Sequence, residues 1–221
     1  MALWLGSFYR LLDAPEIYAL NQRVGLPTTE RYRSLVEANV QSEGRLTLDL
    51  GCGIGNFRES FRGPYVGIDI NPRYIDAARK RFSDRFEVMD CTDLSFPDAS
   101  FDEVVTIATT HHLDDAALAR TVREALRVLR PGGHLHIVDA VLPASNWALF
   151  KQVWFRLDRG AFPRHLSALG GLVESSARVS RQETLAGPLH DVAYLRIAPL
   201  AIPSAASDRS GAGGTGPPST S

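Results

Sequence analysis

Three aspartates, three glycines and two histidines stand where this sequence could do chemistry. Asp49 interrupts a short apolar run, Asp69 and Asp90 close two later ones, and His111-His112 follow a fourth. Between the first two acids, glycines alternate at Gly51, Gly53 and Gly55, before a stretch from Asn56 to Phe61 that can begin a helix. A strand that enters a helix through such a turn lets a ligand lie against bare backbone near the helix N-terminus. The two oxygens of Asp69, about 20 residues past the first glycine, can accept both hydroxyls of a ribose. The nicotinamide fingerprint G-x-G-x-x-G would put its third glycine at Asn56, but here it falls one residue early, at Gly55. His111 and His112 offer imidazole, the natural proton acceptor near neutral pH; either could also simply pack or bond to backbone.

These residues need a scaffold that brings strand ends together. Apolar runs predict strands over Thr47–Leu50, Tyr65–Ile70, Arg85–Asp90, Glu103–Ala108 and His134–Val141. Helices are expected over Arg73–Phe82, after the stop at Asn71-Pro72, and from a cap at Asp114 or Asp115 to Arg130. In the second helix Leu118, Val122, Leu126 and Leu129 form an apolar stripe, and Pro131-Gly132-Gly133 ends it. The alternation implies a parallel, doubly wound sheet. Upstream, Ala2–Val40 reads as helices in pieces, with Phe8, Leu11, Leu12 and Ile17 in helical spacing and a break near Gly25–Glu30. Downstream, Trp147–Leu157 and Asp158–Leu169 read as helices, and fainter strands as Val173–Gln182 and Asp191–Ile197. From Pro203 onward the chain has no aliphatic residue larger than Ala and is expected to be disordered.

The block LDLGCGIGNF resembles motif I of the class I S-adenosylmethionine (SAM) dependent methyltransferases, of the small-molecule type. GIDINPRYIDAARKR resembles the second motif, and LSFPDASFDEVV and REALRVLRPGGHLHIVD continue the likeness, so that it covers about Arg45–Val141. The resemblance implies a Rossmann-like, doubly wound seven-stranded sheet, mostly parallel with an antiparallel last strand, and helices on both faces. It implies N-terminal helices over residues 1–44 that cover the site, a methyltransferase domain over 45–200 and a tail over 203–221. Its cofactor would be SAM. By the same likeness Asp49, Gly51, Cys52, Gly53 and Gly55 would hold the methionine end, and Thr106 would line that side. Asp69, with Ile70 beside it, would hold the ribose, and Asp90 with the Cys91 backbone the adenine. Asp90 taken alone reads as a strand-end turn residue. Asn71-Pro72-Arg73-Tyr74 is only superficially like the NPPY signature of amino-methylating nucleic-acid enzymes, because it follows the wrong strand and has Arg73 for the second proline.

Composition narrows the partners. The 221 residues carry a formal net charge of −1, which gives no pull toward a nucleic acid. No run approaches the about 20 apolar residues of a membrane span. Two cysteines suit a reduced compartment, so the chain reads as cytoplasmic. No His/Cys/Asp cluster has metal-ligand spacing, so no metal is expected, and His134 and His136 read as structural. The acceptor is expected to be a small molecule. Trp147, Phe150, Trp154 and Phe155 either line an apolar acceptor pocket or pack on the sheet. A lipophilic acceptor (quinone-like, polyketide or lipid) would suit the former. Two other functions fit the same residues less fully, a SAM-binding protein that does not methylate and a nicotinamide-dependent oxidoreductase.

Overall fold

A computed structural model describes residues 26–142, 162–174, 177–187 and 190–199. The expected helices upstream of Leu26, most of the aromatic insert and the tail from Pro203 lie outside the described residues.

Seven strands form one sheet: β1 (Thr47–Leu50), β2 (Tyr65–Asp69), β3 (Arg85–Val88), β4 (Phe101–Ile107), β5 (Leu129–Val141), β6 (Ala177–Leu185) and β7 (Asp191–Pro199). Their order is β3-β2-β1-β4-β5-β7-β6. Pairings from β3 across to β5 are parallel, and β7 runs antiparallel to both β5 and β6. Every residue of β1 is buried, which is why it reads as an unbroken apolar run apart from Asp49. The chain leaves β1 toward β2 on one side and later returns to β4 on the other. Their carboxyl ends therefore frame the crevice where open α/β sheets bind ligands.

Among the described residues four α-helices cover the sheet: α1 (Leu26–Asn39), α2 (Pro72–Arg81), α3 (Asp115–Val128) and α4 (Leu166–Glu174). Leu118, Val122 and Ala125 of α3 and Leu169 and Val173 of α4 bury against Leu50, Ile68, Val104 and Ile137. On the opposite face, Leu35 and Val36 of α1 and Ile75 and Ala78 of α2 bury against Tyr65, Val105, Val138 and Tyr194. Asn71 caps α2, its side chain accepting from Arg73 N–H, and Asp114 caps α3 by accepting from Ala117 N–H at 2.7 Å.

The structure redraws several boundaries. No α-helix follows the glycine turn; Arg58–Ser60 makes a single 3-10 turn. Phe57 and Phe61 are both buried and Gly63-Pro64 lies close behind, so the stretch has no room to propagate a helix. Strand β5 begins at Leu129, ahead of the Pro-Gly-Gly sequence, and the register against β4 shifts between Phe101 and Glu103 to absorb those residues. Of the expected 158–169 helix, 158–161 lie outside the described residues, 162–165 are not helical and only Leu166–Leu169 are, as the start of α4; β6 begins at Ala177. No described helix is long and apolar enough to cross a membrane.

Gly63 sets the approach of the β1–β2 connection to α1's exit. A Cβ there would lie 2.1 Å from the Ser42 carbonyl oxygen and 2.5 Å from that of Arg45. Both obstacles are backbone and cannot swing aside. Gly63→Ala is therefore expected to destabilise by about 2–3 kcal/mol, seen as a lowered urea midpoint. Gly44→Ala meets open space and only a positive φ, so a loss near 1 kcal/mol is expected.

Candidate active site

The carboxyl ends of β1, β2, β4 and β5 meet around the glycine loop. Gly51 and Cys52 N–H both donate to the Ile68 carbonyl, at 2.8 and 2.9 Å, tying the loop to β2. Gly51, Gly53 and Gly55 have φ of 78°, 56° and 78°, a conformation that disfavours side chains. A Cβ on Gly51 would stand 2.5 Å from Thr109 Oγ1, and one on Gly55 2.8 Å from the Phe82 ring.

Asp49 forms the floor, 1% exposed. Tyr65 donates its hydroxyl to Asp49 Oδ2 at 2.7 Å, while Oδ1 is buried without a hydrogen-bond partner. Burial pushes the carboxyl up to about 7, against the Tyr65 hydrogen bond and with the Asp69 charge. Asp69 is also raised by burial, though Asn71 N–H and Gly53 N–H oppose the shift. Its Oδ2 accepts from Gly53 N–H at 3.0 Å and its Oδ1 from Asn71 N–H at 2.8 Å. Ile70, just beyond it, is 70% exposed. The Cys52 thiol is driven far upward by burial and by Asp49 and Asp69, and Cys91 is raised by burial, so neither is a ready nucleophile.

Other expected residues are placed differently. Asp90 is exposed and its Oδ1 accepts from Thr92 N–H at 2.8 Å, a turn-forming contact. Thr106 pairs with Leu50 whereas Asp49 pairs with Val105, so alternation turns the Thr106 side chain to the opposite face from Asp49. Its buried Oγ1 has no partner.

The two histidines separate. His111 is buried and His112 exposed, with ring centroids 4.2 Å apart. His111 Nδ1 lies 2.6 Å from Asp139 Oδ1, at the end of β5. Asp139 Oδ2 accepts from the Thr110 hydroxyl and from His111 N–H, and Oδ1 also accepts from Ala140 N–H. Burial alone would raise Asp139, but the His111 charge and these hydrogen bonds hold it below the usual carboxylate range. Whenever the His111 ring carries a single proton, the ionised carboxylate holds it on Nδ1 and leaves Nε2 as the basic nitrogen. Arg164 secures the same loop, donating to the carbonyls of Thr110 at 2.9 Å and Leu113 at 2.7 Å while pairing with Asp115.

Sequence reasoning missed Tyr65, Asp139 and Arg164. Asp139 did carry a signal, an acid within the last three residues of an apolar strand. Arg164 carried none.

A family model described as a methyltransferase domain matches residues 48–137. Phosphoethanolamine N-methyltransferase 1 of Arabidopsis thaliana is 38% identical over 125 residues, 52% of this chain but only 24% of that protein. Demethylmenaquinone methyltransferase of Deinococcus radiodurans is 34% identical over 175 residues, 74% of this chain and 69% of that protein. A solved SAM-dependent methyltransferase from Methanosarcina mazei superposes with a TM-score of 0.61 at 22% identity, covering 75% of this chain and 96% of that one. The sheet order, the glycine loop and a relative matched over most of both chains agree: this chain belongs to the class I SAM-dependent methyltransferases.

Proposed function

We propose that this chain methylates a lipophilic small molecule from SAM, in the cytoplasm, where its free Cys52 and Cys91 would stay reduced. The observation that carries the reading is Asp49 Oδ1, an unpartnered acceptor buried under a loop of bare backbone. Such an atom is costly unless a ligand supplies a donor, and the ammonium of a methionine moiety is a donor of the right charge. The cofactor supplies a methyl group activated by its positive sulfur.

The chain's own residues then bind and orient. Asp49 holds the ammonium, the Gly51–Gly55 backbone gives close approach, and Asp69 accepts from the ribose hydroxyls. Ile70 offers an apolar face and Asp90 with the Cys91 backbone reads the adenine edge. Cys52 contributes backbone only. Thr106 is left with a packing role on the other face of the sheet. His111 accepts the acceptor's proton on Nε2, with Asp139 holding Nδ1–H, so the acceptor attacks as its more nucleophilic form. His112 sits beside it as a surface residue. Positioning and water exclusion carry the rest of the rate.

A dinucleotide is disfavoured by the same geometry. Its pyrophosphate needs a helix N-terminus after the glycine turn, and here only a 3-10 turn follows. Asp49 and Asp69 would also repel phosphate. The acceptor class follows the Deinococcus relative, whose name specifies a menaquinone precursor.

Calorimetric titration with SAM and with NAD tests the binding half. Saturable binding of SAM alone is expected, and no SAM affinity would sink the reading. Labelled SAM incubated with fractionated lipid extract tests the other half. A labelled lipophilic product is expected, while tight binding with no labelled product would mark a SAM-binding protein that does not methylate.

A further inference from the structure

At the amino ends of the parallel strands, away from the glycine loop, β4 and β5 bring three potential ligands onto one face. Glu103 is in register with His134, and His136 follows two residues on, so alternation keeps all three on the same side. His136 Nε2 lies 2.8 Å from Glu103 Oε2, and His134 Nδ1 lies 3.8 Å from the same oxygen. One coordinating atom from each residue falls within 4.8 Å of the others. Spacing along the sequence hides this group, because Glu103 belongs to the neighbouring strand.

We propose that Glu103, His134 and His136 form a site for a late first-row divalent cation, Zn²⁺ in the first instance, with a fourth position open to water. Tetrahedral bonds of about 2.0–2.1 Å set ligand atoms roughly 3.3 Å apart, and 2.8 and 3.8 Å bracket that value. Two imidazoles and a carboxylate favour zinc and its neighbours over magnesium or calcium. The outer contacts are also in place. His136 Nδ1 lies 2.8 Å from the Tyr194 hydroxyl, which orients the ring with Nε2 toward Glu103. Arg45 Nε pairs with Glu103 Oε1 at 2.8 Å, leaving Oε2 to the ion. Without metal, a hydrogen bond of 2.8 Å joins His136 Nε2 to Glu103 Oε2, and an ion would replace it. Access is through His134, whose side chain is 32% exposed, while those of His136 and Glu103 are only 2% and 3% exposed.

Titration of the full chain with ZnCl₂, followed by calorimetry and repeated with CoCl₂ for visible d–d bands, tests the site. One equivalent is expected to bind, with a Zn²⁺-dependent rise in Tm. His134→Ala, at a partly exposed position that should fold normally by circular dichroism, is expected to weaken binding about 100-fold. Tyr194→Phe, which removes only the outer contact, is expected to weaken it about tenfold, and exposed His165→Ala is expected to leave it unchanged. The absence of saturable binding overturns the proposal. So does a folded His134→Ala protein that binds Zn²⁺ as tightly as the unmodified chain, for the ion then sits elsewhere.

Discussion

Asp49→Asn is expected to weaken SAM binding by roughly 100-fold or more while stabilising the ligand-free protein at pH 8. The binding loss follows from removing the buried carboxylate placed to meet an ammonium. The stability gain follows from the carboxyl's own position. Its native pKa of about 7 lies above the ordinary 3.8, so the folded state holds an extra proton between those values. Stability therefore falls as pH rises from about 4 to about 7, and the full penalty, of order 4 kcal/mol, applies above that. An Asn carbonyl still accepts from Tyr65, and its amide stands unpartnered where Oδ1 stood, at about 1–3 kcal/mol. The balance favours the variant by about 1–3 kcal/mol at pH 8, is near zero at about pH 5 and disfavours it near pH 4. Urea unfolding at pH 8 and pH 4 reads the crossover, and a difference independent of pH would show that Asp49 is not held in a raised state.

Asp139→Asn is expected to lower turnover by about 10²–10⁴-fold and stability by about 3–5 kcal/mol, because one carboxylate serves four donors. The two effects part company in His111→Gln, where the backbone N–H and Thr110 still bind Asp139. That variant is expected to melt within a few degrees of the parent and bind SAM normally, yet lose about 100-fold in kcat. Unchanged kcat in a folded His111→Gln protein would retire the base role. Asp139 also predicts an acid limit. Its pKa is depressed in the fold, so its contribution is complete above the ordinary carboxylate range and is lost as pH falls below it. Thermal melts on either side of that range, compared between the parent and Asp139→Asn, should show the gap closing in acid.

Much of this was legible from residue types because β1, β2 and β4 are buried on both faces, and burial on both faces leaves a short apolar run. The glycine loop was legible for a related reason: three positive φ angles within five residues leave few other residue types usable. The 3-10 turn after it was not, since Asn56–Phe61 is a plausible helix start and only the burial of Phe57 and Phe61 stops it. Tyr65 was invisible as Asp49's partner because it looks like any aromatic in a strand. The opposed faces of Asp49 and Thr106 depend on the register between β1 and β4. So does the meeting of Glu103 with His134 and His136. Strand pairing, rather than residue identity, held that information back.

The described chain departs at Leu142 and comes back at Phe162, and both points are tied down. Leu142 N–H donates to the Arg164 carbonyl at 2.9 Å and Phe162 N–H to the His111 carbonyl at 2.9 Å, with a parallel bridge between Leu142 and His165. Doubling the length of chain between two fixed points costs only about 0.6 kcal/mol in closure entropy. A change in the length of the connection between these two points therefore carries little cost in closure entropy. The His111 loop keeps its anchors at Phe162 and Arg164 whatever the length of the connection that precedes them.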